Sequence, residues 1–261
     1  LPLMDPYVAA GGKRFISVFD QGATRSPWTA KASADWIKLS QTADATNSTQ
    51  PAADVIWVSI DWSKIPQGPD VSGNVAITDG KTNYTVQVPV YNPAQVRPAQ
   101  LAGDFVESNH VVSMEAQHLN ASVAKNGASW EVIPGLGRTG DAVGVFPTTT
   151  PSVDLANVTN DSPELLYNFY TFSTGNVTIH YNLIPTQPIQ YGSGLRFAVA
   201  IDDGPPQLVD IQAGTGAESG TSAAWQHNVM NNTTTATTQA TLAAAGAHTL
   251  KIYMIDPGVL L

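Results

Sequence analysis

Cysteine is absent from the 261 residues, which excludes a disulfide framework, a thiolate nucleophile and Cys-ligated zinc. Charge is scarce too: 13% of the chain is charged, about half the usual share, and Thr, Ser, Asn and Gly fill the polar positions. Only 12 cations stand against 21 acids, for a net charge of −9. Nucleic-acid backbones are thereby excluded as partners, and an acidic polysaccharide has to be met by a local group of the few Lys and Arg. No unbroken apolar run reaches the length of a membrane span, so no membrane partner is expected. The opening LPLMDPYVAAGG lacks the basic start and long apolar core of a signal peptide. No GxSxG elbow and no HxH or HExxH spacing occurs.

What is present is strand. In NVTIHYNL, Val177, Ile179, Tyr181 and Leu183 alternate with Asn176, Thr178, His180 and Asn182. GLRFAVAID, YTVQVPV and HTLKIYMID repeat the alternation, and DDGPP and DPG punctuate it with turns. Period two builds sheets with one face on a core and one in water. The fold class is therefore all-β, in two sandwiches. Residues 1–95, with strands expected near 14–19, 28–31, 35–40, 55–61, 74–78 and 84–90, suit an immunoglobulin-like sandwich. Residues 96–104, proline-bearing and without strand pattern, read as a linker. Residues 105–261 suit a jelly-roll sandwich. NNTTTATTQAT at 231–241 reads as an exposed Thr-rich loop, and no helix of credible length is expected.

Eight asparagines open N-x-S/T sequons: Asn47, Asn83, Asn120, Asn157, Asn160, Asn176, Asn231 and Asn232. They are more than half of the asparagines in the chain, which points to a secreted, extracellular glycoprotein of fungal origin. In such a protein the start implies a leader already removed. The abrupt end at Val259-Leu260-Leu261 likewise reads as a fragment.

Glycoside hydrolysis needs two carboxyl groups flanking one bond. Asp61, Asp202 and Asp203 are the visible acids, but adjacent strand residues face opposite ways, and Asp202-Asp203 before Gly204-Pro205-Pro206 reads as a hairpin turn. The histidines His110, His118, His180, His227 and His248 read as solvated or hydrogen-bonded side chains. Sugar rings stack on aromatic faces. Trp28, Trp36, Trp57 and Trp62 are expected in the core of the first sandwich, while Trp130 and Trp225 lie beside loops of the second, as carbohydrate platforms or as packing. SWEVIPGLGRTGDAVGVFP, residues 129–147, is neither helical nor regularly alternating. It reads as a tightly specified glycine loop carrying Arg138, a rigid connector or a contact for an acidic sugar.

VSMEAQHLN (112–120) resembles the strand that opens carbohydrate-binding modules of families 6 and 35. That resemblance implies a structural calcium on two acids, of which Glu115 matches the first while Gln117 stands at the second. Together with SWEVIPGLGRTGDAV, GLRFAVAIDDGPPQLVDI and AGAHTLKIYMIDPGVLL, it resembles the C-terminal part of glycoside hydrolase family 115, the xylan α-1,2-glucuronidases. WIKLSQ, VIWVSIDWSKIPQG and YTVQVPV resemble the immunoglobulin-like segment before it. The resemblance implies action on glucuronoxylan by catalytic domains upstream of this chain, and no catalytic residue of the family falls within it. The chain is then a non-catalytic accessory fragment that supports those domains or a homodimer and requires no cofactor. It also ends where the family continues into one more strand. The alternatives are an autonomous carbohydrate-binding module using Trp130, Arg138 and Trp225 on xylan, and a structural or adhesive surface protein.

Overall fold

A computed structural model describes residues 1–7, 12–44, 53–93, 98–213 and 222–261. The chain divides into two compact units, 1–102 with 108–111, and 103–107 with 112–261. The 3-10 turn Pro98–Leu101, in the segment read as a linker, belongs to the first.

The first unit is built from β1 (Arg14–Phe19), β2 (Thr29–Ala32), β3 (Ile37–Leu39), β4 (Ala53–Ile60), β5 (Gly68–Thr78) and β6 (Asn83–Asn92). They form two three-stranded sheets, β1-β4-β3 and β2-β5-β6, all pairs antiparallel. Ile16, Ile37, Ile56 and Val58 of one sheet meet Ala30, Val75, Ile77, Val88 and Val90 of the other. Gly73 lets the sheets close: a Cβ there would stand 2.6 Å from Ile37 Cδ1 and 2.9 Å from the Trp36 ring. Trp28 and Trp36 are buried, as expected. Trp57 is not; it is 47% exposed. In the unbroken apolar run VIWV the inward positions are Ile56 and Val58, so period two turns Val55 and Trp57 outward.

The second unit comprises β7 (Phe105–Val106), β8 (Ala121–Val123), β9 (Ser129–Ile133), β10 (Ala142–Phe146), α1 (Val158–Asp161), β11 (Glu164–Thr171), β12 (Gly175–Leu183), β13 (Arg196–Ile201), β14 (Gln207–Asp210), α2 (Ala223–Asn231), β15 (Thr234–Leu242) and β16 (Gly246–Met254). One layer runs β14-β13-β16-β11-β7, with β8 also on β11. The other contains the pairs β9-β10 and β12-β15. Leu260 and Leu261 join those pairs: Leu261 and Val143 exchange both backbone hydrogen bonds at 3.0 Å, and Ile184 N–H donates to Leu260 O. The core between the layers includes Trp130, Leu165, Tyr167, Phe197, Leu183 and Met254. β13 is buried on both faces, because Ala198 and Ala200 pack with Val158, Tyr253 and Ile255 behind the sheet.

Three sequence expectations change here. The Thr-rich stretch is strand β15, whose nine residues pair throughout with β12. Threonine favours a pleated half-exposed surface, so β-propensity makes the strand where hydrophobicity is low. Residues 112–120 form no strand; His118 N–H donates to Glu115 O in a turn, and Asn120 N–H donates to Leu166 O. α2 was not foreseen, because its nine residues bury none of their side chains. Its signals are at the ends: the Ser222 hydroxyl accepts from Trp225 N–H, and Asn232 takes the left-handed conformation after the last turn.

Candidate functional site

The glycine loop after β9 is held from beneath. Asp141 accepts from Gly135 N–H at 2.8 Å, Gln117 Oε1 accepts from Asp141 N–H at 2.9 Å, and Thr139 donates to Glu115 at 3.3 Å. Two glycines allow this closeness. A Cβ on Gly137 would stand 2.6 Å from Gly140 O, and one on Gly140 would stand 2.7 Å from the Gln117 amide. The acids near the loop bind its own backbone and hydroxyl, which leaves Arg138 exposed at the tip. A planar guanidinium in that position suits a carboxylate arriving from outside.

Glu115 and Gln117 are thus fasteners for the loop. Calcium needs six to eight oxygens and several charges. Here one carboxylate and one amide are already bonded, and among the described residues no three His, Cys, Asp or Glu side chains converge. Side chains supply a single charge here, so a calcium at these two residues would have to be completed by carbonyl oxygens.

Trp130 is 3% exposed and its indole N–H donates to Pro163 O at 3.1 Å. It offers no face to a sugar, because the inward side of β9 takes it into the core. Trp225 differs. It is half-buried on α2 and lines a shallow cleft with Pro185, Thr186, Leu195, Ile211, Gln212, Asn228 and Thr234. Apolar side chains line it together with hydroxyl and amide ones. Asn228 donates to Thr234 Oγ1 at 3.1 Å, which fixes one wall. The cleft itself, about 10 Å³, has room for one water, so a sugar could only lie across its mouth on the Trp225 ring. Trp225 and Arg138 therefore belong to separate features, a cleft beside α2 and a loop tip after β9.

Each candidate acid has a local partner. Asp202, with φ +53° in the β13–β14 turn, accepts from Thr249 N–H at 2.8 Å and lies 2.8 Å from His248 Nδ1. Asp203 pairs with Lys251 at 3.2 Å, and Asp61 accepts from Ser63. The Ser63 hydroxyl holds the Asp61 carboxyl below its usual range. Asp256 was missed from sequence. Its side chain is fully buried; Oδ2 accepts from Arg196 N–H and Nε, and Oδ1 accepts from Arg196 Nη2 and Ser152. Burial raises its pKa, but the bonds from Arg196 and Ser152 outweigh this and hold it below 3.8. The DPG signal marked only a turn there; nothing local announces a partner 60 residues away.

Of the sequons, Asn83, Asn120, Asn157, Asn160, Asn176, Asn231 and Asn232 are exposed, and Asn47 lies outside the described residues. Asn120 is occupied on both sides of its amide: it donates to Gly103 O and accepts from Asn168 N–H. Asn231 donates to His227 O.

No curated protein matches the chain. Among solved structures it is similar to the 4-O-methyl-alpha-glucuronidase BtGH115A, a family GH115 enzyme with specificity for decorated arabinogalactans. Identity is 19%, over 66% of this chain and 19% of that one, with TM-score 0.38. The chain thus spans about a fifth of the length of that enzyme. It is also similar to the C-terminal CBM6 of the laminarinase LamC from Zobellia galactanivorans (18% identity, 56% and 90% coverage, TM-score 0.33). A third similar structure is an exo-beta-1,3-galactanase from Phanerochaete chrysosporium (9% identity, 91% and 56% coverage, TM-score 0.31). The model of the glycosyl hydrolase family 115 C-terminal domain matches residues 104–261, more than half of the sequence. By that match the chain belongs to glycosyl hydrolase family 115 and carries its C-terminal domain.

Proposed function

We propose that this chain is the non-catalytic C-terminal accessory portion of a secreted α-1,2-glucuronidase acting on glucuronoxylan, and that its sandwiches support the catalytic domains. The family match over residues 104–261 carries the reading. The acids support it, because Asp61, Asp202 and Asp203 are each engaged locally, by Ser63, Thr249 and Lys251. The test is to express the complete reading frame with and without residues 1–261, on glucuronoxylan and on decorated arabinogalactan. The complete enzyme is expected to release glucuronic or 4-O-methylglucuronic acid from glucuronoxylan, and the truncated one to lose thermal stability. Unchanged stability on truncation overturns the supporting role; release from arabinogalactan alone overturns the substrate.

A second reading is favoured by the cleft at Trp225, a carbohydrate-binding module acting without its parent. Arg138 would then serve a glucuronate side group from the loop tip. Calorimetric titration of the chain with xylo-oligosaccharides, plain and glucuronate-decorated, decides it. Binding abolished by Trp225→Ala supports the module, and loss of the preference for decorated ligand in Arg138→Ala supports the second contact. No heat with either ligand removes both.

A further inference from the structure

The outer face of the sheet β1-β4-β3 is apolar where a sandwich surface is normally polar. The register places Phe15 opposite Trp57, Ser17 opposite Val55 and Phe19 opposite Ala53, all on the side away from Ile16, Ile56 and Val58. Phe15 is 58% exposed, Phe19 61%, Trp57 47% and Val55 40%. Phe15 and Trp57 touch edge to face with ring centres 5.7 Å apart, so the patch is one ordered surface. Three aromatic side chains about half exposed, with Val55, amount to on the order of 400 Å² of apolar area. Alternation does not require this, since polar residues at 15, 19, 55 and 57 would leave the core unchanged.

Resting on the accessory reading above, we infer that this face docks a second protein domain of the parent polypeptide. The area decides among occupants. A stable dimer needs about 800 Å² from each partner, of which about 500 Å² is apolar, more than the patch supplies. Domain contacts within one chain bury about 600–1,500 Å² in total, or about 300–750 Å² a side, which the patch meets. Composition points the same way. β1 and β4 turn only Ser17, Ser59 and these apolar side chains outward, with no carboxylate and no amide to fix the hydroxyl groups of a sugar. Lys38 of β3 borders the patch beside Ser59, where it pairs with Asp61 at 3.9 Å and donates to Asp35 O. The border is thus matched within the chain, and the complementary surface on the partner is apolar.

The absence of cysteine provides the probe. Ser17→Cys sets a single thiol at the centre of the patch, in this chain and at the same position in the complete enzyme. Maleimide labelling of the peptide that contains it is followed by mass spectrometry. In the complete enzyme the site is expected to label more slowly than in the isolated chain by roughly tenfold or more, because opening of the interface must precede reaction. Equal rates in the two proteins overturn the inference. So does slowing of the isolated chain with rising protein concentration, which assigns the face to a second copy. Protection of the isolated chain by added glucuronoxylan also overturns it, in favour of a sugar ligand. If Ser17→Cys perturbs the fold, hydrogen exchange of β1 and β4 in the unaltered proteins gives the same comparison. Protection without release of glucuronic acid removes the accessory reading alone. Release without protection removes this inference alone.

Discussion

Replacing Asp256 with asparagine tests a buried, multiply bonded carboxylate of the second unit. The carboxylate accepts four hydrogen bonds, three from Arg196 and one from Ser152. Asparagine keeps the shape but places an NH₂ where Oδ2 meets the Arg196 N–H at 3.1 Å and Nε at 2.6 Å, so donors face donors. A hydrogen bond to a charged group contributes about 1.5–3 kcal/mol, and breaking a buried pair from one side costs about 3–5 kcal/mol. The Arg196 side chain is 38% exposed and regains water, so the cost falls below the full buried-pair range, to about 2–3 kcal/mol. For a domain of this size the unfolding midpoint should fall by about 4–12 °C. Scanning calorimetry is the assay, because two units can unfold as two transitions and only that of the second should move. The pH dependence has a definite sign. A folded-state pKa below 3.8 means the contribution is complete above the unfolded value and lost as pH falls through the folded one. The wild type should therefore lose more stability than Asp256→Asn on acidification below about pH 4. A midpoint shift under about 1 °C, or identical acid profiles, would refute the assignment of the pair as a stabilising bolt.

Other consequences follow from the loop and the surface. Gly137→Ala forces a methyl against two backbone oxygens, at 2.6 Å from Gly140 O and 2.8 Å from Asp141 O. It should destabilise the second unit by about 1–3 kcal/mol in chemical denaturation. Millimolar calcium or a chelator should leave the melting temperature of the chain unchanged, since Glu115 and Gln117 are spent on Thr139 and Asp141. Calcium-dependent stabilisation would show that another donor set exists. If the protein is produced by secretion in a glycosylating host, peptide mapping should find Asn120 and Asn231 less occupied than the other exposed sequons, because a glycan there competes with the bonds to Gly103 O and His227 O. Full occupancy at Asn120 would contradict that geometry.

The sandwich architecture was legible wherever strands alternate cleanly. β12 turns Val177, Ile179, Tyr181 and Leu183 toward the core and Asn176, Thr178, His180 and Asn182 outward, as its alternation says. Legibility fails where the face is not written in hydrophobicity. β15 turns Ala236, Thr238 and Ala240 inward and threonine or glutamine outward, so polarity suggested a loop. Val55 and Trp57 lie in an apolar run that conceals which side is out, and the exposed aromatic face went unseen. Residues 112–120 carried a strand resemblance, yet they are held by side-chain contacts: Tyr167 donates to Ala116 O, and Gln117 binds the glycine loop. Candidate sites suffered more. The sequence marks Trp130 and Trp225 equally, and only burial separates a core indole from one at a cleft. Arg196 and Asp256 lie too far apart in the chain for any local pattern to join them.

The central claim is that the chain supports an α-glucuronidase without performing its chemistry. Purified residues 1–261, incubated with 4-O-methylglucuronoxylan and assayed for free uronic acid by anion-exchange chromatography, test it most directly. The account predicts no release above the buffer control at any enzyme concentration or pH. Release that rises with added chain and survives further purification would contradict it.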